Sequence, residues 1–243
     1  MRLRPNKNPA PAQPASTAAA EPGAENIYGR QLTASEIKAG QHRAVVGGMW
    51  DEIGALQFRF LKEQGLGPSH RLLDIGCGCL RGGIHFVPYL KSGHYYGIDV
   101  NRSLIEAGKR ELAALGCGDK NAHLLVDDQF AFDRFGAEFD FALAVSVFTH
   151  LHGNHIGVCL KKVRRVLAPD GRLFASFFEA PEPVYLQDLA HQPGDIVTHA
   201  DRDPYHYSLE EMAGLAKFAN LSVKLMGNWG HPRGQYMLCF SHS

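Results

Sequence analysis

The sequence predicts a doubly wound α/β fold, a mostly parallel seven-stranded sheet with helices on both faces and an antiparallel hairpin at its C-terminal end. Three observations predict it. Between residues 71 and 178, short apolar runs alternate with helix-period patterns, the signature of right-handed crossovers on a parallel sheet. One of those runs, FDFALAVSVF at 139–148, is almost continuously apolar, as expected of a strand covered on both sides. Near the end, two strand-like runs are separated only by GHPRG at 230–234, a link too short for a parallel crossover and suited to a hairpin.

The elements follow in order. Thr33 with Glu36 forms a helix-starting capping box, and that helix is expected to run to Gly47 and Gly48. A second helix is expected over 50–64, where Ile53, Leu56 and Phe60 share a face and Gly65 supplies the stop. Strands are expected at 71–75, 95–100, 122–126, 139–148 and 172–178, with intervening helices at 84–90, from Ser103 to Gly116, and along Ile156, Leu160, Val163 and Leu167 to APDG. Ser208 and Glu211 then cap a helix to about Asn220, ahead of LSVKLMGNW and QYMLCF. The expected organisation is a disordered tail at 1–26, a helical N-terminal cap at 27–66 and a main domain built on the sheet at 67–243. The tail is rich in Pro, Ala and Asn and holds almost no large apolar residue to offset the entropy of ordering.

At 243 residues, with 45% apolar side chains, the chain is long enough for one substantial core. Its 25 basic and 25 acidic residues give no net charge, which disfavours nucleic acid as the main partner. The sequence has no apolar run of bilayer-spanning length and no hydrophobic block at its start, so a cytoplasmic location without membrane contact is expected. The five cysteines form an odd set without the paired spacing of a zinc site, and no metal is expected.

Chemistry concentrates in LLDIGCGCLRGG, residues 72–83. It follows the first strand directly, at the sheet edge where doubly wound folds bind ligands. Gly76 and Gly78 let the backbone turn and approach a ligand, and the next helix presents free N–H groups. A dinucleotide fingerprint counted from Gly76 needs glycine where Arg81 stands. Asp74, two residues before the first glycine, suits a ligand carrying an ammonium group rather than a pyrophosphate. Asp99, at the end of the second strand, is placed to accept hydrogen bonds from ribose hydroxyls.

With these residues in view, the sequence resembles the class I S-adenosylmethionine-dependent methyltransferases. LLDIGCGCLRGG resembles their first motif, YYGIDVN the second, LLVDD the third, FDFALAVSVFTHL the fourth, and VRRVLAPDGRLFASFF the helix and strand that follow. The resemblance implies a Rossmann-like methyltransferase fold and S-adenosyl-L-methionine as cofactor. It implies that Asp74, Gly76 and Gly78 lie along the methionine part, that Asp99 takes the ribose hydroxyls, and that Asp127 or Asp128 reaches the adenine amine. Arg81 and Ser146 join this cofactor set. Leu80 departs from the family, many of whose members carry a third glycine there.

A methyl acceptor with a late-leaving proton needs a general base. His150, after the fourth strand, and His231, in the hairpin turn, are the candidates. Tyr205, His206 and Arg233 are expected around the acceptor, with Trp50 and His42 closing the mouth. The expected reaction is methyl transfer to a small molecule, at oxygen in preference to nitrogen. The competing readings are a nicotinamide-dependent oxidoreductase, a non-catalytic cofactor-binding protein, and a protein or RNA methyltransferase.

Overall fold

The computed structural model describes residues 29–243, so the expected tail at 1–26 lies outside the described residues. Seven strands form one sheet: β1 (Leu72–Ile75), β2 (Tyr95–Asp99), β3 (His123–Val126), β4 (Phe139–Ala144), β5 (Leu167–Phe177), and a C-terminal pair that follows a smaller hairpin. That hairpin is β6 (Leu189–His191) with β7 (Ile196–Thr198), and the C-terminal pair is β8 (Leu221–Asn228) with β9 (Tyr236–His242). The order across the main sheet is β3-β2-β1-β4-β5-β9-β8. The first five strands pair in parallel, and β9 runs antiparallel to both β5 and β8. β8 is therefore parallel to β5, and the 229–235 turn emerges at the same edge as the carboxyl ends of β1, β2 and β4.

Alternation along the strands sorts side chains onto two faces. Leu73, Ile75, Ala142, Ala144, Leu173, Ala175, Leu238 and Phe240 pack with α6 (Gly153–Val163) and α7 (Leu209–Phe218). Leu72, Phe141, Leu143, Phe174 and Met237 pack with α3 (Trp50–Glu63), α4 (Gly83–Tyr89) and α5 (Arg102–Ala114). Asp74 shares the parity of Leu72 and so points toward the second group of helices.

Several boundaries depart from the sequence reading. The first expected helix is two short ones, α1 (Ala34–Lys38) and α2 (His42–Val45), because the chain turns left-handed at Gly40. Its capping box is present: Thr33 Oγ1 accepts from Glu36 N, and Glu36 accepts from Thr33 N. α5 is capped by Asn101, whose Oδ1 accepts from Ser103 N at 2.9 Å and Leu104 N at 3.2 Å, not by Ser103. The 139–148 run is strand only to Ala144; Ser146 is left-handed, and Phe148–His150 form a 3-10 turn. Leu167 belongs to β5 rather than α6. The Ser208–Glu211 box starts α7 as expected.

The cap is tied to α5. Leu32 N donates to Ser103 Oγ, while Glu111 accepts from both Arg43 and His42. Trp50 is buried with Leu32, Ile37, Cys79, Leu104 and Ala107. Trp50 and His42 therefore anchor the cap instead of closing a mouth. No helix among the described residues is long and apolar enough to cross a membrane.

Candidate active site

At the carboxyl end of β1, a small cleft is lined by Val46, Gln57, Asp74, Gly76, Cys77, Gly78, Arg81, Gly82 and Val145. Four sequence-predicted residues, Asp74, Gly76, Gly78 and Arg81, meet there. Gly76 is required by its surroundings: its φ is +68° and a Cβ would come within 2.5 Å of Val147 Cγ2. Gly78 N donates to Asp99 Oδ2 at 2.8 Å, which fixes the end of β2 to the glycine loop. Asp99 Oδ1 accepts from Asn101 N, so the carboxylate is held at the end of β2 beside the glycine loop. Burial raises the Asp99 carboxyl from its ordinary value.

Asp74 Oδ2 accepts a hydrogen bond from Tyr95 Oη at 2.6 Å. Burial pushes its carboxyl up to about 7, against the opposing pull of Tyr95, with Asp99 adding to the rise and Arg81 moderating it. Such a carboxylate is stabilised by a ligand cation and destabilised by a ligand phosphate.

The departure at Leu80 has a local explanation. Leu80 is left-handed and fully buried. Its side chain fills a notch in α5 at Gly108, where a Cβ would stand 2.5 Å from Leu80 Cγ. Arg81 Nη1 donates to Val46 O at 2.9 Å and Gly48 O at 3.0 Å, so the guanidinium holds the α2–α3 loop over the glycine turn.

The aspartate pair after β3 divides. Asp127 Oδ1 accepts from Gln129 N and Ala131 N, which commits it to shaping its own turn. Asp128 is exposed, and its Oδ1 takes only the Gln129 side chain. Ser146 is drawn into the sheet instead of toward the cleft. Its N donates to Ser176 Oγ and its hydroxyl to Gln235 Oε1, which also receives Ser176 Oγ at 2.6 Å.

Outside the cleft wall, His150 Nδ1 lies 2.5 Å from Asp203 Oδ1. His231 is 2% exposed, and its Nδ1 accepts from Arg233 N. Burial and the Arg81 and Arg233 charges push the His231 imidazole down to about 3. That corrects the assignment of His231 as a base: a neutral ring whose Nδ1 is an acceptor carries its proton on Nε2 and is a donor.

His206 is likewise fully buried and does not face an open acceptor site. Its Nε2 meets Tyr185 O and its Nδ1 meets Thr198 Oγ1, each at 2.7 Å, with His191 Nε2 on the other side of that hydroxyl. Burial, and then the charge of His206, push His191 down to about 4. Tyr205 is buried too, its hydroxyl 3.1 Å from His152 Nε2. These residues hold the 179–207 segment together. Arg233 is half-buried and donates to Gly47 O at 2.5 Å.

Sequence reasoning missed Gln57 and Gln235. Gln57 is a buried amide on the apolar face of α3, between Ile53 and Phe60, and a polar residue at that spacing was the available signal. Gln235 had none.

Residues 73–173 match the profile of a family described as a methyltransferase domain. This region, less than half of the chain, is similar to a methyltransferase domain. Solved structures with this fold include methyltransferases that bind S-adenosylmethionine, which favours that cofactor over a nicotinamide. Solved methyltransferases share the domain's fold. Magnesium protoporphyrin IX methyltransferase from Synechocystis PCC 6803, with bound SAM, is 15% identical over 89% of this chain and 88% of its own, with a TM-score of 0.55. A S-adenosylmethionine-dependent methyltransferase from Clostridium acetobutylicum is 11% identical over 87% of this chain and 100% of its own, with a TM-score of 0.63. A putative O-methyltransferase from Nostoc punctiforme PCC 73102 is 18% identical over 82% of this chain and 58% of its own, with a TM-score of 0.62.

Proposed function

We propose that the chain transfers a methyl group from S-adenosylmethionine to a small-molecule acceptor, at oxygen in preference to nitrogen, with cap 27–66 and sheet domain 67–243 acting as one catalytic body. The observation that carries this reading is Asp74, a buried carboxylate on the cleft wall with a raised proton affinity, placed for an ammonium group. Likeness to a magnesium protoporphyrin IX methyltransferase and a putative O-methyltransferase supports a small acceptor and oxygen chemistry.

The sulfonium cofactor supplies an already activated methyl group, so the protein's main task is to hold the acceptor in line with it. In this reading Asp74 takes the cofactor ammonium, Gly76 and Gly78 give the backbone close approach, and Asp99 takes the ribose hydroxyls. Asp128, rather than Asp127, takes the adenine amine, because the Asp127 carboxylate already holds its own turn. Arg81 keeps the cap loop in place above them. His150 is the general base: Asp203 accepts a hydrogen bond from its Nδ1–H, which makes Nε2 the basic nitrogen and fixes the ring.

Calorimetric titration of S-adenosylhomocysteine into the full chain tests the cofactor assignment; a well-folded protein that shows no binding heat overturns it. Incubating a metabolite extract with methyl-labelled cofactor identifies the acceptor. In single turnovers with that acceptor, His150→Ala is expected to slow transfer by about 10²-fold or more. Full rate in that variant removes His150 as the base.

A further inference from the structure

Three consecutive carbonyls of the loop between α2 and α3 are held by two arginines from opposite walls. Val46 and Gly48 accept from Arg81, and Gly47 accepts from Arg233. Both guanidiniums are thereby fixed over one short stretch of chain. His231 lies beside them, bonded through Nδ1 to Arg233 N. Its Nε2 is buried and has no hydrogen-bond partner among the described residues. Arg233 forms no ion pair within 4.0 Å with a carboxylate of the described residues. A buried N–H donor without an acceptor, next to a half-buried guanidinium that meets only a carbonyl, is costly unless an anion completes the set.

The surroundings limit the size of that anion. The β6–β7 turn packs directly on the hairpin turn, where a Cβ on Gly194 would approach Pro232 O to 2.9 Å and Arg233 Cα to 3.2 Å. Trp229 lies against His231, ring centroids 5.4 Å apart and tilted by 30°. This packing favours a small planar group that lies beside the Trp229 ring.

We propose that Arg233 and the Nε2–H of His231, with Arg81 as a neighbouring positive charge, form a receptor for a carboxylate carried by the methyl acceptor. This deepens the methyl-transfer reading and rests on it for the acceptor's role. The receptor itself is testable without it.

The test uses the full chain saturated with S-adenosylhomocysteine and two pairs of probes that differ in charge: acetate against acetamide, and benzoate against benzamide. At least one carboxylate is expected to bind about tenfold or more tightly than its amide. Arg233→Gln is expected to erase the difference, Arg233→Lys to retain part of it, and His231→Gln, which keeps an N–H donor, to retain most of it. Equal binding of acid and amide in both pairs, or a preference that survives Arg233→Gln, overturns the proposal.

The cofactor's own carboxylate is the other source of the same chemistry. If Arg233→Gln weakens S-adenosylhomocysteine but spares 5′-methylthioadenosine, which lacks the amino-acid portion, the receptor serves the cofactor and the proposal fails. Repeating the acid–amide comparison without S-adenosylhomocysteine separates the two readings: if that ligand does not bind, the methyl-transfer reading fails while the carboxylate preference is still measured.

Discussion

The two halves of the site are built by different means. The cofactor side uses strand ends and a glycine loop, where residues close in sequence act through backbone geometry, as in the Gly76 turn and the Gly78–Asp99 hydrogen bond. The proposed acceptor side would be formed by the 179–207 segment and the 229–235 turn, which are held together by buried imidazoles, a threonine hydroxyl and close backbone packing. Changes to the first half should act on cofactor binding. Changes to the second should act on the acceptor and leave the cofactor alone.

The largest effect is expected from Gly76→Val, which forces a β-branched residue into a left-handed turn and onto Val147. Calorimetry is expected to show S-adenosylhomocysteine affinity falling by about 10²-fold or more, with a lowered Tm. Asp74→Asn comes next. In the wild type, affinity for the ammonium-bearing ligand should rise as pH climbs through about 7 and Asp74 ionises. The variant should bind about tenfold or more weakly at pH 8 and lose that slope. The sign for stability is opposite. Because burial raises the folded-state proton affinity, the stability contributed by this group is present below the ordinary carboxylate value and is lost as pH rises toward 7. Thermal melts of the ligand-free protein should show that loss, and Asp74→Asn should reduce it.

Gly234→Ala breaks the comparison from the other side. Gly234 has a φ of +72°, and its Cβ would run into the Gln192 backbone. Acceptor kcat/KM should fall by about tenfold or more while cofactor affinity stays within twofold. Equal losses in both would mean that the halves are not separable. Thr198→Val is the smallest change: it removes the hydroxyl between His191 and His206 and should cost about 1–3 kcal/mol in denaturant unfolding, with cofactor binding unaltered.

The same division explains what was legible in the sequence. Strands β1 to β5, the capping boxes at Thr33 and Ser208, and the antiparallel pairing of β8 with β9 follow from local pattern and connection length, and each is present. The break at Gly40 and the cap at Asn101 were decided by single residues with near-equal neighbours. The Asp127–Asp128 choice required knowing which backbone N–H groups face the turn. On the acceptor side little was readable, because β6 and β7 have three residues each and their pairing is sustained by distant contacts. His206 and Tyr205 looked like ligands because polar aromatic residues near a site invite that reading, yet both are spent on internal partners.

The loop at 46–48 bears on what a minimal working protein would contain. Its carbonyls occupy one arginine from the glycine turn and one from the C-terminal hairpin, and Val46 Cγ1 sits where a Cβ on Gly78 would come within 3.0 Å. A shortened chain that began at the sheet would keep every strand of the sheet and the Gly76–Gly78 turn. It would also strip the shared acceptor from two guanidiniums at once and uncover the cofactor turn, so the cap is a component of the site and not an appendage that can be trimmed.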